Sequence, residues 1–161
     1  MMKQKILFIC VHNSARSQMA AALMNESCGE FFEAESAGLE PGTLNPLAVE
    51  ALQELGIDIS QNKTQSVFEV WKSGKMFTYV ITVCSEAEAE GCPIFAGVTT
   101  RLHWPFPDPA RFEGTPGEKG RRARDLRDMI QAEIDHFCQE HCGVEPALTT
   151  KFAGVRIDIH G

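Results

Sequence analysis

The chain has 161 residues, 43% of them hydrophobic, which is enough apolar side chain to build the core of one domain. Its formal net charge of −7 argues against nucleic acid or an anionic membrane surface as a partner. No apolar run approaches the roughly 20 residues of a membrane span, and no signal-peptide cleavage site follows the apolar run near the start. We therefore expect a cytosolic protein that works as a monomer.

Strand and helix signals alternate along the chain. Apolar and alternating runs predict strands at 5–10, 31–36, 76–83 and 99–104. Amphipathic spacing and capping residues predict helices at 17–27, 46–55, 66–73 and 118–140. Proline and glycine predict an irregular segment over 105–120, up to the start of the last helix. The domain is expected to span 1–143, followed by an extension of unknown role at 144–161.

This alternation predicts an α/β fold in which helices cover both faces of a parallel sheet. In such sheets the functional sites lie beyond the carboxyl ends of the strands. Cys10 and Cys84 each end a predicted strand, and a further loop follows Trp104. We therefore expect these three places to share one rim of the sheet.

The segment 10–17 has the features of an anion-binding loop with a nucleophile. A loop that winds into a helix N-terminus directs backbone N–H groups at one point, and its positive field favours the thiolate form of Cys10. The planar guanidinium of Arg16 can hold two oxygens of a tetrahedral anion. Ser17 can donate a hydrogen bond to the sulfur, and Asn13 tolerates the left-handed backbone that a tight loop needs.

Six cysteines are present: Cys10, Cys28, Cys84, Cys92, Cys138 and Cys142. In a cytosolic protein this number favours redox, metal or catalytic roles over structural disulfides, and Cys28 is interpreted as a buried packing residue. A zinc site is one interpretation of the last helix, through His136, Cys138, His141 and Cys142. The spacing is not that of a familiar zinc motif, so we favour an ordinary helix end and expect no metal.

Several motifs in fixed order resemble those of one family. They are Cys10-x5-Arg16-Ser17, Ser36-Ala37-Gly38, Asn45-Pro46, Gly56-Ile57-Asp58, Val83-Cys84-Ser85, Cys92-Pro93 and His103-Trp104-x-Phe106-x-Asp108-Pro109-Ala110. Over about residues 4–140 the chain resembles the arsenate reductases built on the low-molecular-weight tyrosine phosphatase fold. The loop alone also fits the phosphatases, and the pair Cys84 and Cys92 selects the reductases. The resemblance implies a three-layer αβα fold with a four-stranded parallel sheet in the order 2-1-3-4.

The resemblance also implies a mechanism. An arsenate or phosphate oxyanion would bind the loop residues His12, Asn13, Ser14, Ala15, Arg16 and Ser17. Cys10 would attack arsenic while Asp108 protonates the departing oxygen. Disulfides between Cys10 and Cys84, then between Cys84 and Cys92, would follow as arsenite leaves. An external thioredoxin-like thiol carrier would reduce the last disulfide, and no tightly bound cofactor is implied.

The chain differs from the family pattern in the anion loop, and two other functions also fit its residues. Ala15 stands where many relatives carry another cysteine, and His12 replaces a common glycine. The first alternative is a tyrosine or small phosphomonoester phosphatase that uses Cys10, Arg16 and Asp108. Ala110 follows the Asp-Pro pair, where such phosphatases usually carry aromatic residues. The second is an oxyanion sensor or arsenic-sequestering protein, although pure binding needs no proton donor.

Overall fold

The computed structural model describes residues 2–85, 90–95, 97 and 99–142. The strands are β1 (Gln4–Cys10), β2 (Phe32–Gly38), β3 (Tyr79–Thr82) and β4 (Thr100–His103). The helices are α1 (Arg16–Cys28), α2 (Pro46–Gln53), α3 (Val67–Lys72) and α4 (Pro116–Cys142), with a short 3-10 turn at Pro109–Arg111. None of these described helices is long and apolar enough to cross a membrane. The predicted extension 144–161 lies outside the described residues.

The four strands form one parallel sheet in the order β2-β1-β3-β4, which confirms the expected topology. The register pairs Cys10 with Gly38 on one side of β1, and Ile9 with Thr82 on the other. The ladder continues past β3, since the Val83 N–H donates to the Ile9 carbonyl oxygen at 2.8 Å. Because all strands run in the same direction, their carboxyl ends meet at a single rim.

Helices cover both faces of the sheet, which produces the expected three layers. β1 is buried on both faces, as its unbroken apolar run predicts for a parallel strand. Ile6, Phe8 and Cys10 pack into the larger core, which also contains α1 and α4 side chains. Leu7 and Ile9 pack into the second core on the opposite face, with Val67 and Val70 of α3 among its members.

Two predicted boundaries are wrong in part. The strand predicted over 76–83 is formed only at Tyr79–Thr82, because the chain joins the β1 ladder at Thr78 and leaves Met76 exposed. The segment predicted to be irregular contains the 3-10 turn, and α4 begins at 116. There the Thr115 hydroxyl accepts from the Glu118 N–H and the Glu118 carboxylate accepts from the Thr115 N–H. This reciprocal cap explains the earlier start.

The expectation that no cysteine serves a structural disulfide is also wrong. Cys28 at the end of α1 is bonded to Cys138 of α4, with Cα atoms 6.3 Å apart and 110 residues between them in the chain. Both residues are buried in the larger core, where the Cys138 sulfur also lies 3.9 Å from the Met24 sulfur. The bond joins two neighbouring helices, a contact that local sequence patterns do not reveal.

Candidate active site

The loop at 11–15 connects the end of β1 to the start of α1 and carries the predicted nucleophile at its base. The carbonyl groups of Val11, His12 and Ser14 accept hydrogen bonds from the N–H groups of Glu40, Gly42 and Asn45, at 2.7, 2.9 and 2.8 Å. In a trans peptide the carbonyl and the next N–H point in opposite directions. The loop therefore directs its N–H groups away from the 40–45 segment, toward the side where the thiol lies.

Gly38 allows this loop to pass close to the end of β2. A Cβ atom at this position would lie 2.7 Å from the Asn13 nitrogen and 2.8 Å from the Val11 carbonyl oxygen. Both atoms belong to the loop backbone, so a side chain here could not be accommodated by a simple rotamer change. The loop and the second strand therefore need a glycine at their point of contact.

The Cys10 sulfur receives hydrogen bonds from two groups of the loop. The Asn13 N–H donates to it at 3.2 Å, and the Ser17 hydroxyl oxygen lies 2.9 Å away. Asn13 Nδ2 donates to the same Ser17 oxygen at 2.8 Å, and when Cys10 is a thiolate the Ser17 hydroxyl donates its hydrogen to the sulfur. Cys10 is only 2% exposed. Hydrogen-bond donors in this arrangement suit a thiolate, which is the form that a nucleophilic cysteine needs.

Asn13 has the left-handed backbone that the sequence predicts. Its φ is 55°, the one positive value among the described non-glycine residues. Its side chain is fully buried, and its Oδ1 accepts from the Gln65 N–H at 2.9 Å. Because a backbone N–H can only donate, this contact fixes which end of the Asn13 amide is oxygen. The Asn13 amide therefore links the loop to the chain segment around residue 65.

Arg16 lies in the first turn of α1 and extends toward the loop after β4. Its Nη1 donates to the Phe106 carbonyl oxygen at 3.2 Å, and its Nη2 lies 3.6 Å from Asp108 Oδ2. The other carboxylate oxygen of Asp108 accepts from the Ala110 N–H at 2.9 Å and caps the 3-10 turn. These contacts orient the Asp108 carboxylate beside the Arg16 guanidinium. The Asp108 side chain is 20% exposed.

The remaining loop residues predicted to bind the anion occupy different environments. His12 is exposed, and its Nδ1–H donates to the Glu40 carbonyl oxygen at 2.9 Å. Ser14 is half-buried, and Ala15 is buried at the N-cap of α1. Ala15 has no side-chain acceptor, so it does not compete with a bound anion for the N–H groups of the first helical turn.

Cys84 follows β3 on the face of the sheet that carries Cys10. It is fully buried and belongs to the same core as Cys10 and Val83. Val83 is bonded to Ile9, so Cys84 comes one residue after the position in register with Cys10. The sheet therefore brings the carboxyl ends that carry Cys10 and Cys84 to neighbouring positions, as the sequence predicts.

Cys92 lies on the opposite face of the sheet. It is half-buried against the second core, where Leu39 also packs. Burial raises the pKa of the Cys92 thiol above its ordinary value, while the positive charge of Arg101 lowers it to a smaller extent. Cys10, Cys84 and Cys92 are all reduced thiols. Cys84 and Cys92 therefore pack against different cores of the sheet.

Among the described side chains, three of the four that the alternative zinc site needs have other partners. The Cys138 sulfur is bonded to Cys28, and His136 forms an ion pair with Glu140. His141 stacks on the Phe137 ring, with centroids 4.0 Å apart. In the part of the chain that the structure describes, no three His, Cys, Asp or Glu side chains are placed to hold a metal ion.

Sequence reasoning missed one residue that contacts the loop from behind. Gln18 is 3% exposed, and its amide donates to the backbone and side-chain oxygens of Asn13. A glutamine inside a helix has no distinctive pattern, since most glutamines there face solvent. Its burial depends on the chain near residue 63, which is remote in sequence.

Comparison with known proteins matches residues 5–141 to the family model described as low molecular weight phosphotyrosine protein phosphatase. An arsenate reductase of Halalkalibacterium halodurans is 39% identical over 140 residues, which are 86% of this chain and 98% of that protein. The arsenate reductase structure from Archaeoglobus fulgidus is similar with a TM-score of 0.60 and 28% identity, covering 80% of this chain and 98% of that one. A thioredoxin-dependent arsenate reductase of Corynebacterium glutamicum gives a TM-score of 0.58 and 28% identity, over 82% of this chain and 62% of that one.

Proposed function

We propose, from the premise that this chain belongs to the low molecular weight phosphotyrosine protein phosphatase family, that it reduces arsenate to arsenite. The observation that carries the proposal is the placement of Cys10 and Cys84 in one core at the sheet rim, with Cys92 as a third reduced thiol. A phosphatase of this fold needs only the first of these thiols. The arsenate reductases that the chain resembles over 86% of its length support the same assignment.

In the first step, the tetrahedral arsenate binds over the Cys10 sulfur. The N–H groups of the loop and the first turn of α1 donate to its oxygens, and the Arg16 guanidinium holds two of them. Ser14 and Ala15 contribute backbone N–H groups, while exposed His12 lies at the outer edge of the loop. An anion here replaces the long contact between Arg16 and Asp108 with shorter, charge-assisted bonds.

In the second step, the Cys10 thiolate attacks arsenic and an oxygen departs. Asp108 donates a proton to that oxygen, which leaves as water while a Cys10 S–As bond forms. The hydrogen bonds from Asn13 and Ser17 hold the sulfur in the attacking position. Arsenic is still in its +5 state at this point.

The third step moves two electrons to arsenic. The Cys84 thiolate attacks the Cys10 sulfur, the S–As bond breaks, and its electron pair stays on arsenic, which leaves as arsenite. The Cys92 thiolate then attacks the Cys84 sulfur and forms a Cys84–Cys92 disulfide. Cys10 departs as a thiolate, again stabilised by Ser17 and Asn13.

The cycle closes when an external dithiol reduces the Cys84–Cys92 disulfide. A thioredoxin-like carrier fits, because a relative of similar structure is thioredoxin-dependent. Such a carrier is kept reduced in the cytoplasm, which is where we place the reaction. All the reacting side chains come from one chain, so a monomer suffices and no tightly bound cofactor is required.

The same geometry supports a weak phosphatase activity. Phosphate has the shape and charge of arsenate, and Arg16 beside Asp108 gives the anion clamp and proton donor that phosphomonoester hydrolysis needs. We therefore propose slow hydrolysis of an aryl phosphate as a side reaction that depends on Cys10 and not on Cys92.

The proposed function is tested by arsenate-dependent NADPH oxidation with thioredoxin and thioredoxin reductase. The parent chain is expected to turn over, and Cys10→Ser is expected to show no rate above background. Cys28→Ser is the matched control, since this cysteine lies at the opposite end of α1. Full activity of Cys10→Ser, or no arsenate-dependent oxidation by the parent, would refute the proposal.

A further inference from the structure

We infer that Gln18 is a positioning residue for the Cys10 nucleophile, because its amide holds Asn13 in the orientation that Cys10 requires. The inference deepens the proposed function, since it concerns the same anion loop. Gln18 lies in the first turn of α1, and its side chain is buried between the loop and the chain at Asn62 and Lys63. It contacts Asn13 and the 62–65 segment, and it acts on the sulfur through Asn13.

The Gln18 amide makes contacts in a fixed orientation. Its Nε2 lies 3.1 Å from the Asn13 carbonyl oxygen, 3.3 Å from Asn13 Oδ1 and 3.3 Å from the Lys63 carbonyl oxygen. Carbonyl oxygens only accept, so the NH₂ group must face them. Its Oε1 accepts from Asn62 Nδ2 at 3.1 Å, which supports the same orientation from the other side.

These contacts bear directly on the conformation of Asn13. The left-handed backbone of this residue is a costly conformation that surrounding bonds must maintain. Gln18 bonds both its main-chain and side-chain oxygens, and the Gln65 N–H adds a bond to Oδ1 at 2.9 Å. With its oxygens held from behind, Asn13 directs its N–H at Cys10 and its Nδ2 at Ser17.

Both donors that face Cys10 therefore depend on the Asn13 orientation. The Asn13 N–H reaches the sulfur directly, and Asn13 Nδ2 orients the Ser17 hydroxyl toward it. Losing the Gln18 amide removes a donor from the Asn13 carbonyl oxygen and leaves Asn13 Oδ1 with the Gln65 N–H alone, which weakens the restraint on the Asn13 backbone. The consequence at the active site is a sulfur with weaker donors and a less stable thiolate.

The test measures Cys10 alkylation by iodoacetamide against pH, with mass spectrometry of the Cys10 peptide as the readout. In Gln18→Met, which keeps the side-chain volume, the midpoint of the profile is expected to rise by about one pH unit. A rise of one unit corresponds to a roughly tenfold smaller acid dissociation constant of the thiol. The inorganic phosphate concentration that protects Cys10 from alkylation is expected to rise as well.

Gln131→Met is the matched control. Gln131 is also buried, at 5% exposure, and its amide donates to Ser27 and Asp135, but it lies on α4. The Gln131→Met substitution is expected to lower the free energy of unfolding and to leave the pH profile of Cys10 alkylation unchanged. A shift of equal size in both variants would show a general effect of destabilisation and would overturn the inference.

A second variant keeps the test decisive if Gln18→Met fails to fold. Asn62→Ala changes an exposed residue and removes the donor to Gln18 Oε1, so a smaller rise in the same midpoint is expected. An unchanged profile in a folded Gln18→Met, or in Asn62→Ala where the first does not fold, overturns the inference. The readout needs no arsenate turnover, so it separates this inference from failure of the proposed function.

Discussion

At the scale of single residues, the proposed nucleophile, anion clamp and proton donor come from separate parts of the chain. Cys10 ends β1, Arg16 begins α1, and Asp108 lies in the loop after β4. The strand-loop-helix pattern predicted the roles of Cys10 and Arg16, and the family resemblance implied the role of Asp108. The hydrogen bonds of Gln18 behind the loop were not predictable, since they depend on a segment about 45 residues away.

Asp108→Asn tests the proton donor. The amide retains an acceptor for the Ala110 N–H but cannot donate an acidic proton, so the first chemical step is expected to slow by about 10²- to 10⁴-fold. Protection of Cys10 by phosphate should remain, and single-turnover release of arsenite measures the step. Asp128→Asn, on the exposed face of α4, is the control. A parent-like single-turnover rate in Asp108→Asn would remove the assigned role.

The Cys92 thiol gives a prediction about pH. Because burial raises its pKa, Cys92 is protonated at neutral pH, and its alkylation rate should climb with pH beyond the ordinary thiol range. Arg101→Gln removes the positive charge that lowers this pKa, so alkylation should become a few-fold slower at pH 8. Arg121 is an exposed residue of α4, so Arg121→Gln should leave the alkylation rate of Cys92 unchanged. A rate that already levels off below pH 8 would contradict the buried placement of Cys92.

At the scale of elements, the sheet brings the site together through register. The apolar run of β1 and the β-branched run of β3 predicted the central strands. The alternation of strands with helices along the chain predicted that the strands pair in parallel. The start of β3 was less predictable, since it depends on where the chain meets β1. The start of α4 was missed although the Thr115 and Glu118 cap is visible in the sequence, because the surrounding glycines and prolines argued for a loop.

Gly38→Ala tests the contact between β2 and the anion loop. The added Cβ would lie 2.7 to 2.9 Å from three loop backbone atoms, so the loop must shift and anion binding should weaken at least tenfold. Gly42→Ala is the matched control, since its Cβ would meet only the His12 side chain, at 3.5 Å. Phosphate protection of Cys10 measures both variants. Equal binding by Gly38→Ala and the parent would contradict the described loop packing.

At the scale of the whole molecule, one covalent bond ties the first helix to the last. Local patterns predict elements and their faces, but they do not say that Cys28 and Cys138 meet across 110 residues. The reduced thiols Cys10, Cys84 and Cys92 take no part in this bond, which lies at the end of α1 away from Cys10. The chain thus separates a structural disulfide from the thiols that we propose to react.

The Cys28–Cys138 bond should contribute to stability and not to turnover. Closing so long a loop restricts the unfolded chain, so reduction is expected to lower the free energy of unfolding by about 2–4 kcal/mol. Urea unfolding of the parent with and without reductant measures the difference. The Cys28→Ala, Cys138→Ala double variant should be insensitive to reductant and should retain arsenate reduction. If the urea midpoint of the parent is the same with and without reductant, the result contradicts the presence of the Cys28–Cys138 bond.

The most direct test of the thiol relay is disulfide mapping after one equivalent of arsenate, without a thiol carrier. We expect arsenate to convert Cys84 and Cys92 from thiols to a disulfide, with one arsenite released and Cys28–Cys138 unchanged. Cys92→Ser should instead stop at a Cys10–Cys84 disulfide. If arsenite forms while Cys84 and Cys92 both remain reduced, or if arsenate leaves every thiol unchanged, the relay is wrong.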